Sequence, residues 1–281
     1  MSTKTSGRLL VVGTPIGNLE DLSPRAGRAL AEADAIFCED TRVTAKLAAR
    51  FSIPARRVSC PAPREASRVG ELLERLGRGE TVALVTDAGM PALSDPGQRL
   101  VEAAASAGFP VLVVPGPSAP AAALAVSGLP AVPHLFLGFL PARAGERRRL
   151  LEGIARRGET LVWFEAPHRL AESLADAAKV LGPRRACVAR ELTKLHEETL
   201  RGTLPELAHT LAARGGSRGE ITVVVEASAS REEARPEDVD ASIREALAAG
   251  MALKTLSREI ARRAGRPSRE IYARALELNK P

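Results

Sequence analysis

The feature of this sequence that most constrains its fold is a regular alternation of short apolar runs with helical patterns. Arg8 to Val12 and Thr81 to Thr86 are rich in valine and leucine, and each run stops at a segment of glycine and proline. Between them, Ser67 to Leu76 repeats apolar residues at helical spacing. Strands that alternate with helices are typical of a mainly parallel sheet covered by helices. The pattern therefore predicts an α/β fold.

The length and the course of this alternation predict the domain organisation. The 281 residues suffice for about two domains of roughly 150 residues each. The alternation breaks around Pro115 to Ala119, resumes from Phe136 to Glu226, and gives way to a wholly helical pattern after Pro236. We therefore predict three units, which are an N-terminal α/β domain at 1–116, a C-terminal α/β domain at 117–230 and a small helical, helix-turn-helix-like domain at 236–281.

Composition excludes several classes of protein. No stretch approaches the roughly 18 consecutive apolar residues of a membrane-spanning helix, and the short polar start, Met1 to Gly7, lacks the pattern of a secretory signal. We therefore expect a cytoplasmic protein with no membrane partner. The four histidines lack metal-binding spacing and the cysteines are far apart, so we predict neither a metal site nor a disulfide framework. The three cysteines are Cys38, Cys60 and Cys187.

Charge favours an anionic partner. The net charge is +6, and only six of the 40 basic residues are lysines. The planar guanidinium group of arginine suits phosphate, whereas an aromatic content of 3% argues against a binder that stacks bases on rings. Basic residues concentrate between Arg143 and Arg157 and in the tail from Arg244 onward. Each cluster is either a phosphate-binding surface or an ordinary solvated face, and we name Arg147 and Arg148 as candidate substrate-binding residues.

Two segments that follow predicted strands of the first half carry candidate chemistry. Gly13 to Leu19 forms a turn rich in free amides that could hold a phosphate or carboxylate, although it has neither the GxGxxG nor the GK[ST] spacing of nucleotide loops. Glu39 to Arg42 places three charges at the carboxyl edge of the sheet, where open parallel sheets bind ligands. A tight turn and a solvated loop remain the alternative interpretations.

The segment from Asp87 to Gly97 combines more features of a ligand-binding loop than any other segment of the sequence. Its small residues would let a ligand approach the backbone closely, and Pro115 to Ala119 ends the next strand in the same style. Two such strand ends side by side would form a crevice for an adenosine-like ligand, with Asp87 and Ser118 as partners for its hydroxyl or amine groups. Two rigid turns without a ligand are the alternative.

In this order along the chain, the segments resemble the tetrapyrrole methylase-like superfamily of S-adenosylmethionine-dependent methyltransferases. Within it, the chain is most similar to bacterial enzymes that methylate the ribose 2′-oxygen of a cytidine in 16S ribosomal RNA. The resemblance extends from about Leu9 to Val225 and is weaker in the tail. The matching motifs are GTPIGNL (Gly13 to Leu19), EDTR (Glu39 to Arg42), TDAGMPALSDPG (Thr86 to Gly97), VPGPSA (Val114 to Ala119), FEAPHR (Phe164 to Arg169), RELTK (Arg190 to Lys194) and GEITVV (Gly219 to Val224).

This resemblance implies two α/β domains of the tetrapyrrole methylase type with a small C-terminal helical domain, a homodimer, and S-adenosylmethionine bound in the cleft between the α/β domains. The 16S rRNA or the 30S ribosomal subunit would be the partner. The donor-binding candidates that it implies are Asp87, Ala88, Gly89, Met90, Ser94, Pro115, Gly116, Pro117, Ser118, Phe164, Glu165, Ala166, Leu192, Glu220 and Ile221. Those that would face the acceptor ribose are Gly13, Thr14, Pro15, Gly17 and Asn18, together with Glu39 to Arg42.

The implied chemistry requires neither a metal nor a covalent nucleophile. Because a sulfonium is already electrophilic, the protein mainly has to align the acceptor hydroxyl with the methyl carbon. A ribose hydroxyl is a weak nucleophile, so a base should assist it. We expect Glu39 or Asp40 to take the proton, and Arg42 or Lys194 to hold phosphate or polarise the hydroxyl.

Two other functions remain open at this point. A methyltransferase of the same superfamily that acts on a small tetrapyrrole would need an open apolar trough, and it leaves the basic clusters unexplained. A non-enzymatic nucleic-acid-binding regulator would use the basic tail as its reading head, but it has no need of the glycine- and proline-rich strand ends.

Overall fold

The computed structural model of the chain describes residues 7–228, 236–264 and 266–279. Within these ranges the chain forms two five-stranded sheets followed by a helical tail. The strands are β1 (Arg8–Val12), β2 (Ala35–Cys38), β3 (Arg56–Ser59), β4 (Thr81–Val85), β5 (Val111–Val114), β6 (His134–Phe139), β7 (Thr160–Glu165), β8 (Arg185–Arg190), β9 (Glu198–Thr203) and β10 (Ile221–Val225). The helices are α1 (Pro24–Ala31), α2 (Thr41–Arg50), α3 (Glu65–Gly77), α4 (Gln98–Ser106), α5 (Ala119–Ser127), α6 (Ala144–Ile154), α7 (Leu170–Leu181), α8 (Leu204–Ala213), α9 (Pro236–Ala248), α10 (Leu253–Ala264) and α11 (Ser268–Leu278).

The first sheet has the order β3-β2-β4-β1-β5, and every pairing in it is parallel. Side chains alternate between its two faces, since Leu9 belongs to one apolar cluster while Leu10 and Val12 belong to another. Both faces of its central strands are therefore buried, which explains why β1, β2 and β4 are nearly continuous apolar runs. As expected from the pattern, the strand ends that carry the glycine- and proline-rich segments meet at one edge.

The second sheet has the order β6-β7-β10-β8-β9 and is mixed. β6 and β7 are parallel, but β10 runs antiparallel to both β7 and β8, and β8 runs antiparallel to β9. The expectation of a mainly parallel sheet is therefore correct for the first sheet and wrong for the second. Because β10 runs antiparallel to β7 and β8, its first residues lie at the same edge of the sheet as the ends of those two strands.

Four elements lack a clear signal in the sequence. β3 and β9 are short, polar edge strands, so they lack an alternating apolar pattern. α2 begins directly after Asp40, whose side chain accepts a hydrogen bond from the backbone N–H of Arg42 and so caps the helix. α5 begins at Ala119, the last residue of the motif that starts at Pro115, and packs with Ala123 and Leu124 against the second sheet.

The tail helices α9, α10 and α11 form an apolar cluster of their own around Ile243, Leu256 and Ala275. This agrees with the wholly helical pattern of the tail. In the described ranges, no helix has the length and apolar character needed to cross a membrane.

Candidate active site

A cavity of about 400 Å³ opens where strand ends of the two sheets face each other. The first sheet contributes loops that follow β1, β4 and β5, and the second contributes the ends of β6 and β7 and the beginning of β10. The antiparallel course of β10 is what places Gly219 to Thr222 beside the end of β7. Much of the lining is apolar, including Ile16, Leu93 and Phe139.

The structure brings part of the predicted donor set into this cavity. The predicted donor residues that line it are Ala88, Gly89, Met90, Ser118, Phe164, Glu165, Ala166, Glu220 and Ile221. Those that lie outside its lining are Asp87, Ser94, Pro115, Gly116, Pro117 and Leu192. Lining residues that the sequence did not identify as site residues include Asp95, which lies inside the Asp87 to Gly97 segment, and Phe139, which ends a predicted strand.

Two glycines bring the loops after β1 and β5 into contact. A Cβ atom on Gly13 would lie 2.6 Å from the Cα atom of Gly116, and one on Gly116 would lie 2.8 Å from the Cα atom of Gly13. The loop after β4 joins them through two backbone hydrogen bonds between Thr14 and Gly89, at 2.9 and 3.1 Å. Gly13, Thr14 and Gly116 do not line the cavity themselves, but their contacts hold in place Gly89, which does.

The loop after β4 is held in a strained conformation. Ala92 and Ser94 have φ angles of 65° and 72°, in the left-handed region that non-glycine residues rarely adopt. A hydrogen bond from the N–H of Ala92 to the carbonyl of Pro96 closes the loop. Such strain persists only where the surrounding structure fixes it, and it concentrates at functional sites. Ser94 itself lies against Gly138 of the second sheet, 3.2 Å from the position that a Cβ would take.

The predicted acidic residues lie at the rim of the first sheet beside this loop. Thr86 donates a hydrogen bond from Oγ1 to Glu39 Oε2 at 3.2 Å, and the N–H of Asp40 donates to Asp87 Oδ1 at 3.0 Å. Asp40 and Arg42 form a close ion pair, with 2.6 Å between Arg42 Nη2 and Asp40 Oδ2. The hydrogen bonds from Arg42 lower the pKa of Asp40 to about 2.

Burial raises the pKa values of two neighbouring carboxyl groups, those of Asp87 and Asp95. It raises the pKa of Asp87, even though the N–H of Asp40 donates a hydrogen bond to that side chain. It raises the pKa of Asp95 to about 6, with the negative charge of Glu39 adding to the effect. A buried carboxyl group beside other carboxylates is disfavoured in its charged form.

Lys194 reaches the turn after β1 from the second sheet. A Cβ on Gly17 would lie 2.5 Å from Lys194 Cγ, so only glycine permits this contact. Lys194 Nζ lies 2.9 Å from Glu191 Oε1 and 3.2 Å from Glu220 Oε2. Burial opposes its charge, but these two carboxylates outweigh burial and raise its pKa. Leu192 packs with Ile16 in the apolar contact between the two sheets.

Of the remaining residues predicted to face the acceptor, Pro15 and Asn18 lie in the turn after β1, and Asn18 Oδ1 accepts a hydrogen bond from the N–H of Glu20 at 3.0 Å. Arg147 does not lie on a basic surface. Its side chain is 0% exposed, and it pairs with Asp176 and Glu172 beneath α6. It has no guanidinium face left for substrate, whereas Arg148 is 44% exposed.

Glu165 is the feature of the cavity that most clearly fits a ligand. Its side chain is 0% exposed, and Oε1 accepts hydrogen bonds from Arg169 Nε and from the N–H of Ala166. Its second oxygen, Oε2, is buried without a hydrogen-bond partner among the described residues. A buried carboxylate oxygen of this kind calls for a donor. The hydroxyl and amine groups of an adenosine-type molecule are such donors, so the residues present fit the expected methyl donor.

Two groups of known proteins resemble this chain. The sequence profile of the tetrapyrrole (corrin/porphyrin) methylases matches residues 8–208. A ribosomal RNA small subunit methyltransferase I of Mycobacterium tuberculosis is 46% identical over 280 residues, which cover 98% of this chain and 97% of that protein. Solved structures also resemble this chain, over about four fifths of its length.

Two of these solved structures are relevant to the cavity. The methyltransferase CobJ superposes with a TM-score of 0.61 at 22% identity, over 80% of this chain and 95% of its own. A uroporphyrin-III C-methyltransferase of Thermus thermophilus, crystallised with S-adenosyl homocysteine, gives a TM-score of 0.53 at 25% identity, over 78% of this chain and 97% of its own. The α/β class and the resemblance inferred from the motifs are thereby confirmed. The chain belongs to the family of tetrapyrrole (corrin/porphyrin) methylases.

Proposed function

We propose that this protein transfers a methyl group from S-adenosylmethionine to the ribose 2′-oxygen of a cytidine in the 16S rRNA of the small ribosomal subunit. The observation that carries the proposal is the 46% identity, over nearly the whole of both chains, to a ribosomal RNA small subunit methyltransferase I. The choice of cytidine and of the 2′-oxygen rests on the sequence motifs.

The donor would occupy the cavity between the sheets. Glu165 would accept a hydrogen bond from its hydroxyl or amine groups, and the backbone around Gly89 and Ser118 would lie against its adenosine part. Phe164 and Phe139, whose rings are 5.4 Å apart, offer an apolar surface to the same ligand. The bound donor supplies an electrophilic methyl carbon, so the protein contributes mainly orientation and exclusion of water. The remaining donor candidates, Asp87, Ser94, Pro115 to Pro117 and Leu192, would support this wall from behind.

The acceptor ribose would approach from the side of the turn after β1. Gly13 to Asn18 lies next to the cavity, and Arg42, whose side chain is 88% exposed, stands at the rim with room for a phosphate. Arg148 would contact the RNA backbone farther out. Arginine suits this task because its planar group binds phosphate oxygens in pairs.

We further propose that the enzyme is a homodimer that acts on the 30S subunit in the cytoplasm. The ranges 1–116, 117–230 and 236–281 remain our proposal for its domains. The packing of α5, which follows residue 116, against the second sheet supports the first boundary.

The experiment that tests the function is the transfer of labelled methyl groups from S-adenosylmethionine to 30S subunits that lack the modification. The RNA is then digested with nuclease and its nucleosides are separated. A labelled 2′-O-methylcytidine is the expected product. Transfer to a different nucleoside would overturn the cytidine assignment. Donor binding without any transfer to subunits would move the acceptor to another molecule, such as a small tetrapyrrole, and absence of donor binding would refute the methyltransferase itself.

A further inference from the structure

Among the described residues, one carboxyl group of the cavity has no ion pair with a cation. Three acidic residues line the cavity, which are Asp95, Glu165 and Glu220. Glu165 is paired with Arg169, and Glu220, which is 69% exposed, is paired with Lys194. The charged groups that act on Asp95 within the described structure are the carboxylates Glu39 and Asp87, and the hydroxyl of the nearby Thr86 donates to Glu39. Asp95 is therefore the lining carboxyl group that can accept a proton without first breaking an ion pair.

Contacts on both sides of Asp95 fix its position. The hydrogen bond from the N–H of Ala92 to the carbonyl of Pro96 encloses it in a tight loop. Glu65 Oε1 accepts hydrogen bonds from the N–H of Gly97 at 3.0 Å and of Arg99 at 2.7 Å, which ties the loop to α3. On the other side, Ser94 lies against Gly138 of β6. A catalytic group needs this kind of restraint, because small displacements cost rate.

We propose that Asp95 is the catalytic base of the methyl transfer, and this inference rests on the proposed function. As the ribose 2′-oxygen forms its bond to the methyl carbon, the carboxylate of Asp95 accepts the hydroxyl proton. The carbon–sulfur bond breaks at the same time, and its electron pair stays on sulfur, which becomes a neutral thioether. The proton on Asp95 then passes to solvent and restores the carboxylate.

The other acidic candidates are less suited to this role. Asp40 is occupied by Arg42, which lowers the pKa of Asp40 to about 2 and makes it a weak base. Glu39 accepts the hydroxyl of Thr86 and does not line the cavity. The pKa of Asp95, by contrast, is raised to about 6 by burial and by the charge of Glu39. A base works best when its pKa is near the working pH, so Asp95 is charged at pH 7 and still accepts protons readily.

The groups around Asp95 set the expected pH dependence. Burial and the carboxylates of Glu39 and Asp87 raise the pKa of Asp95. Glu165 and Glu220 line the same cavity from the second sheet, but each is paired with a cation, Arg169 and Lys194 respectively. The single-turnover rate should therefore rise with pH through about 6 and then level off.

The test compares Asp95→Asn with Glu39→Gln, Asp40→Asn and the control Glu102→Gln, which changes an exposed carboxylate on α4. Methyl transfer to unmodified 30S subunits is measured under single-turnover conditions at saturating donor from pH 5 to 9. Affinity for S-adenosylhomocysteine is measured by calorimetry on the same proteins without RNA. Wild-type transfer in this assay tests the proposed function separately, so its failure is distinguishable from a failure of Asp95.

We expect Asp95→Asn to lower the rate by about 10²- to 10⁴-fold, which is the usual contribution of a general base, and to bind S-adenosylhomocysteine within threefold of the wild type. We also expect the variant to lose the rise in rate near pH 6, and Glu102→Gln to behave as the wild type. A rate for Asp95→Asn within tenfold of the wild type would overturn the proposal. A loss of S-adenosylhomocysteine affinity large enough to explain the lower rate would also overturn it. So would a decrease in the transfer rate of Glu39→Gln or Asp40→Asn that exceeds the decrease in Asp95→Asn. Should Asp95→Asn fail to fold, a wild-type profile that is flat between pH 5 and 7 would refute it instead.

Discussion

Arg147 and Arg148 are neighbours on α6, yet the structure predicts opposite consequences for their removal. Arg147 Nε lies 2.9 Å from Asp176 Oδ2, and its Nη1 lies 3.1 Å from the carbonyl oxygen of Ala142. The side chain of Asp176 is 6% exposed, so Arg147→Ala would leave a buried charge without its main partner. Breaking one side of a buried pair costs about 3–5 kcal/mol of the free energy of unfolding. Arg148→Ala removes a half-exposed side chain whose Nη1 lies 3.4 Å from Asp176 Oδ1, and Asp176 keeps its pair with Arg147, so this change should cost less than about 1 kcal/mol.

Urea unfolding followed by fluorescence measures both effects. Trp163 is the single tryptophan, is 0% exposed, and packs in the same apolar cluster as Leu151 of α6. Arg147→Ala should shift the midpoint strongly to lower urea, and the double variant Arg147→Met with Asp176→Leu should recover most of the loss because it removes both charges. A cost below about 1 kcal/mol for Arg147→Ala would refute the reasoning, since a pair worth that little behaves as an exposed one. Arg148→Ala should keep its stability but bind 30S subunits more weakly, with a smaller dependence on salt.

Three further predictions concern ligand binding, thiol reactivity and the pH dependence of stability. Gly13→Ala should abolish S-adenosylhomocysteine binding, because the added Cβ would lie 2.6 Å from the Cα atom of Gly116. The control Gly70→Ala in α3, where an added Cβ would have nothing within 4 Å, should bind S-adenosylhomocysteine normally. Equal affinities of the two variants by calorimetry would contradict this packing argument. The thiol of Cys60, with its pKa raised to about 11 by burial, should resist a disulfide reagent at pH 8 until the protein unfolds, and rapid labelling of the native protein would speak against its burial. The pKa of Asp95 is about 6 in the folded protein and about 3.9 when unfolded, so the folded state binds the extra proton and the wild type loses stability as pH rises from 4 to 6. The gain in stability from Asp95→Asn should therefore be larger at pH 8 than at pH 4 by about 1–3 kcal/mol, and an equal gain at both pH values would be inconsistent with the raised pKa.

The limits of sequence reasoning are clearest at individual residues. Gly13 and Gly89 stand out in the sequence as strand-end glycines. The structure places Gly89 in the lining of the cavity and Gly13 behind it, and only the structure reveals that Gly13 packs closely against the backbone of Gly116. Arg147 and Arg148 are indistinguishable by residue type. The helix turns by about 100° between them, so Arg147 is enclosed beside Asp176, while Arg148 reaches the same carboxylate from the surface and is 44% exposed.

The sequence by itself determined most of the strands and helices and the family. Strand and helix follow from the spacing of apolar residues, and the motifs between them follow from short-range turn chemistry, so both are readable along the chain. Only the tertiary structure decided which strand ends form the cavity, because the reversed direction of β10 is not encoded in its own composition. The tertiary structure also decided which of the described carboxylates that line the cavity has no ion pair and can act as a base. Asp40 pairs with Arg42, its neighbour in the EDTR motif, whereas burial and the charge of Glu39, which is distant in the chain, raise the pKa of Asp95.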